Sequence, residues 1–173
     1  SNPEGLKKVY DMVVAKLDTN IRNVDKIDMS VNYTKTDSDD GNTSLSLTVV
    51  QLNNTNKNKL TQYRYFSSQG KWNSGETMTV DLIGGDAENF VLADNMMDLS
   101  GLTFEKLNKV VQEAFAKYKD DEKFNYQYVS TITIGELMSD REPMVRIFMK
   151  GQLKSNELMK DESERLTLRK VLQ

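Results

Sequence analysis

The chain has 173 residues, 38% of them hydrophobic, and its 23 basic and 26 acidic side chains leave a net charge of −3. That length supports one sizeable core or two small ones fused along a shared edge, and the charge gives no electrostatic footing for nucleic acid as a partner. There is no histidine and no cysteine, which excludes disulfides, thiolate chemistry, serine–histidine–aspartate catalysis and the usual zinc, copper and haem sites.

Pro3 suits the first turn of a helix, where its missing N–H would have no partner. Leu6, Tyr10, Val13, Val14 and Leu17 follow at spacings of three and four, which predicts a helix with one buried stripe. Thr19 to Asp25 is polar and leads out. Ile27, Met29, Val31 and Tyr33 alternate with Asp28, Ser30, Asn32 and Thr34, the pattern of a half-buried strand. Asp40-Gly41 marks a hairpin turn. Its acidic cluster, Asp37, Asp39 and Asp40, lacks calcium-loop spacing, and Thr48 stands where the bidentate glutamate belongs. A return strand carries Leu45, Leu47 and Val49. A third spans about Leu60 to Phe66, and a fourth, after Gly70 and Gly75, shows Met78, Val80 and Leu82.

A second helix is predicted over Thr103 to Lys119. Beyond it Tyr126, Tyr128, Ile132 and Ile134 are expected to share one strand face. Val145, Ile147 and Met149 alternate in the next strand, and Gln152 to Met159 and Glu164 to Leu172 supply the remainder. The two halves follow one plan: Leu6 and Leu107, Ile27 and Tyr128, and Tyr33 and Ile134 are each offset by 101 positions. The predicted class is therefore α+β, with two tandem repeats of a helix followed by an antiparallel β-meander and the helices packed on one sheet face. Residues 1–83 form the first module, 84–102 a connector and 103–173 the second module, and the two can join as one continuous domain.

A helix followed by a four-stranded meander resembles the cystatin-like fold. Its tandem use resembles the β-lactamase-inhibitor-like and PepSY-like secreted proteins of bacteria. That resemblance implies an exported, periplasmic or cell-surface protein. Thr48-Val-Val-Gln-Leu52 departs from the Gln-x-Val-x-Gly protease-binding loop of cystatins, so no inhibitory residue is carried over. Strand faces rich in serine, threonine and asparagine fit an exported bacterial protein. The opening Ser1-Asn2-Pro3 reads as a remnant of tag removal, which leaves an export signal or lipid-attachment cysteine upstream open. No apolar run approaches the roughly 20 residues of a membrane-spanning helix. Sequons at Asn32, Asn42 and Asn53 read as chance in an asparagine- and threonine-rich chain.

Three features are candidates for function. Tyr63, Tyr65, Phe66 and Trp72 form the densest aromatic group; such rings stack on sugars or anchor peptides, and also simply pack in strands. The segment from Pro143 carries seven Lys or Arg against four acids. Within it Arg146, Lys150, Lys154, Arg165 and Arg169 are expected to present a cationic face to an anionic glycan, lipid headgroup or acidic partner, or else to solvate the sheet or face the acidic connector. The stretch between Lys71 and Lys106 holds only acidic charge. The expected function is a non-catalytic binding module that presents a sheet face, with Tyr63, Tyr65, Trp72, Arg146, Lys150, Arg165 and Arg169 as its binding residues. Its ligand is a protein or glycan, and no cofactor or metal is expected. The alternatives are a hydrolase using paired carboxylates between the modules and a structural subunit of an envelope assembly.

Overall fold

The computed structural model describes residues 3–34, 42–80, 90–118, 124–136, 143–153 and 166–171. Helix α1 (Pro3–Leu17) stops where Asp18 turns to φ 45°, a left-handed conformation that aspartate tolerates. A 3₁₀ turn (Asp18–Arg22) leads from there into strand β1 (Val24–Thr34). Strands β2 (Asn42–Leu52) and β3 (Lys59–Phe66) follow, and then two short strands, β4 (Lys71–Trp72) and β5 (Glu76–Thr79). Helix α2 (Phe104–Tyr118) precedes β6 (Phe124–Glu136), β7 (Pro143–Leu153) and β8 (Leu166–Val171).

These strands make one antiparallel sheet in the order β4-β3-β2-β1-β6-β7-β8, with β5 also paired to β3. The protein is thus α+β, with two α-helices and one sheet among the described residues. The expected fourth strand is β5, which ends at Thr79, with Leu82 outside the described residues; β4 is an additional short strand, set off from β5 by Gly75 at φ +91°. A Cβ at Gly75 would come within 2.6 Å of the Tyr63 ring, so only glycine fits both the angle and the contact. Gln152 and Leu153 prove to be the end of β7, and the rest of the strand expected there lies outside the described residues.

Both helices lie on the same side of the sheet. Val13 and Leu17 of α1 and Leu107, Val110, Val111 and Ala114 of α2 share one core with Ile27, Met29, Leu47, Val49, Ile132, Ile134, Val145, Ile147 and Met149. The helices also touch each other. Tyr10 on α1 donates its hydroxyl to the Leu102 carbonyl at 2.9 Å and tilts against the Phe104 ring, which fastens α1 to the start of α2. Burial of that hydroxyl, with Glu105 and Asp11 nearby, raises the Tyr10 pKa.

The central seam is the pairing of β1 with β6, where Ile27 faces Ile134 and Ser30 faces Thr131. There the Ser30 hydroxyl donates to Thr131 Oγ1 at 3.3 Å. On its other side β6 is bulged: Val129 pairs with Met149 but Thr131 with Phe148, leaving Ser130 as the extra residue. The bulge corrects one expectation. Val129 packs on the core while Tyr128 pairs with Lys150, so Tyr128 stands on the opposite face from Ile132 and Ile134.

The face away from the helices is not wet throughout. Val50, Leu52 and Leu60 point there by alternation, and the connector covers them with Leu92, Ala93 and Met96. The connector then rounds the sheet end through a bridge in which the Met97 N–H donates to the Val24 carbonyl at 2.7 Å. It thereby delivers Met97 and Leu99 to the main core. Among the described residues no helix is long and apolar enough to cross a membrane.

Candidate functional site

Among the described residues nothing covers the part of the sheet centred on β1, β6 and β7 on the side away from the helices, and this is the open face. A row of directly opposed residues crosses it: Thr48, Asp28, Thr133, Arg146 and Arg169, in consecutive strands. The neighbouring row runs Val50, Lys26, Gly135, Met144. Period-two alternation puts the side chains of Thr48, Asp28, Thr133, Arg146, Val50, Lys26 and Met144 on one side. Within the first row the carboxylate of Asp28 is fully engaged. It accepts from the Thr133 hydroxyl at 2.7 Å on one oxygen and pairs with Lys26 Nζ at 2.7 Å on the other.

Between the two rows lies a concavity of about 310 Å³ lined by Asp25, Lys26, Thr133, Gly135, Met144 and Arg146. Its origin is local. Gly135 has no side chain in a row of long ones, and a Cβ built there would meet nothing within 4 Å. The register shift between Val24 and Lys26 leaves Asp25 as a bulge residue at the rim. Burial raises the pKa of Asp25, and only Lys26 opposes that rise.

Arg146 is the least satisfied member. Its Nε is buried and has no hydrogen-bond partner, and its guanidinium stands 6.0 Å from the Phe148 ring centroid. A buried guanidinium N–H without an acceptor costs about 1–3 kcal/mol, more where the group is charged. Among the described residues no carboxylate pairs with it. Arg169 pairs with Arg146 in the β7–β8 backbone register.

Five of the seven residues predicted as a site separate into two groups. Tyr63, Tyr65 and Trp72 are on the helix face at the β3 edge, where Tyr65 and Trp72 pack against the main core with their rings 5.7 Å apart. Lys16 of α1 caps the group, with Nζ 3.6 Å from the Tyr63 ring centroid and 5.8 Å from that of Trp72. Burial lowers the Lys16 pKa. The rings thus already hold a cation of the same chain. Arg146 and Lys150 are on the open face, in line with Phe148 along β7. Arg165, like the acidic turn at Asp37 to Asp40, lies outside the described residues. The sequence reading missed Asp25, Lys26, Thr133, Gly135 and Met144. One signal was present, an isolated glycine inside a strand pattern, which marks a close approach or a gap.

The Asn53 sequon has a structural use instead: its side-chain oxygen accepts from the N–H groups of Thr55 and Asn56, and its amide donates to Thr61 at 2.9 Å. Among the described residues no three acidic side chains gather as a metal site would require.

No protein-family model, no curated protein and no solved structure matches this chain.

Proposed function

We propose that this protein is a non-catalytic binding module, exported to the periplasm or surface of a bacterium, that recognises its ligand with the open face of its sheet. The observation that carries the reading is Arg146, a half-buried cation in a polar concavity, without a carboxylate partner among the described residues. Arg146 and Lys150 are its binding residues, with Arg169 beside them in register. The aromatic group of Tyr63, Tyr65 and Trp72 has a sufficient role in the packing of the β3 edge and is not part of this surface.

The fold is read as two tandem helix-plus-meander units, as in the secreted proteins it resembles. Support comes from the seam. Ser30 and Thr131 are 101 positions apart, the offset that relates the two halves of the sequence, and they lie opposite each other. Equivalent residues meet in this way at a two-fold axis.

A glycan array probed with the wild-type chain tests the function. Retention of a defined glycan that is lost on Arg146→Ala with Lys150→Ala, and kept on Trp72→Ala, supports the open face. Binding that survives the paired open-face changes and disappears with Trp72→Ala refutes it.

A further inference from the structure

We infer that the concavity beside Gly135 is a subsite for one oxyanion-bearing group of about monosaccharide size, held by the Arg146 guanidinium and flanked by Lys26 and Thr133. The inference rests on the open-face reading and deepens it by naming the ligand chemistry. A volume of about 310 Å³ is at the lower end of small-molecule sites, which run from ~300 to ~1,000 Å³. It admits one ring with its substituent and little more.

The charges select an anion. Lys26 and Asp28 already neutralise each other at 2.7 Å, and the second oxygen of Asp28 is taken by Thr133. That leaves Arg146, whose fork of donors matches the two oxygens of a carboxylate or of a phosphate edge. A bound oxyanion would neutralise the Arg146 charge, with which no carboxylate pairs among the described residues. The other carboxyl at the rim, Asp25, has its charged form disfavoured by burial, which weakens its competition for Arg146. Met144 adds an apolar wall on which a ring can lie. Gly135 is the determinant of size, since any side chain there projects into the space that the ligand would fill.

The test is an NMR titration of the full chain at low ionic strength with D-glucuronate, glucose 6-phosphate and, as the uncharged control, D-glucose. The amide signals of Thr133, Gly135 and Arg146 are the reporters. At least one acid should saturate those shifts in the millimolar range, and D-glucose should leave them unmoved; which acid binds distinguishes a carboxylate from a phosphate ligand. Gly135→Val should weaken binding at least tenfold while keeping or raising the thermal midpoint. Arg146→Gln should weaken it to a similar degree. Absence of saturable shifts with either acid, equal shifts with D-glucose, or wild-type affinity in Gly135→Val would each overturn the assignment. A glycan retained on the array by both wild type and Gly135→Val would sink this subsite and leave the broader open-face reading standing.

Discussion

Replacing Ile27 by alanine probes whether the two halves of the chain share one cooperative core. Ile27 is 0% exposed and stands directly opposite Ile134, 1% exposed, across the β1–β6 seam. The change strips about three carbons, at ~0.8 kcal/mol for each buried methylene, so the transfer loss is ~2.4 kcal/mol. The site is enclosed by strands on both sides and by both helices above, which leaves little room for collapse. The residual cavity raises the cost to ~3–4 kcal/mol, within the range for such truncations. For a chain of this length that lowers the thermal midpoint by roughly 6–16 °C. Urea unfolding followed by tryptophan fluorescence and by circular dichroism measures it. Trp72 reports on the β3 edge, and the far-ultraviolet signal reports on both helices. The two probes should give one coincident transition, moved to lower urea by the full amount. A loss below about 1 kcal/mol, or a split in which only one probe shifts, would refute the shared core.

Other substitutions test local features. Gly75→Ala, forced to keep φ +91° and to collide with the Tyr63 ring, should cost at least ~1–2 kcal/mol by urea melt. Tyr10→Phe removes the hydroxyl bonded to the Leu102 carbonyl and should cost ~1 kcal/mol, with faster amide exchange at the start of α2. Gln51, 2% exposed with an unpartnered Oε1, should tolerate methionine with a gain of about 1 kcal/mol. Asp25 makes stability pH-dependent. Its folded pKa lies above the unfolded value of 3.8, so the folded chain holds the proton more tightly. Its favourable contribution is complete below the unfolded pKa and is lost as pH rises through the folded one. Asp25→Asn should therefore raise the thermal midpoint at pH 7 relative to wild type, and the gain should shrink towards acid pH. A gain that grows on acidification contradicts the assignment.

Residue spacing alone determined the elements and their faces. Leu6 to Leu17 and Leu107 to Tyr118 can bury a stripe only as helices. Ile27 to Val31 and Leu45 to Val49 can bury a face only as strands, and short polar links oblige those strands to run antiparallel. These are local properties, written in the order of neighbouring side chains. The separation of Trp72 from Arg146 onto opposite faces was not legible, because it depends on register and on which side the helices settle. The Ser130 bulge was not legible either, and it reverses the face of Tyr128. Nor was the connector's cover over Val50 and Leu52, or the meeting of Asp25, Lys26, Gly135 and Arg146 from three different strands. Such groupings are fixed by hydrogen bonds and packing between separate segments, 110 positions apart for Asp25 and Gly135, and alternation within any one strand contains no record of its neighbour.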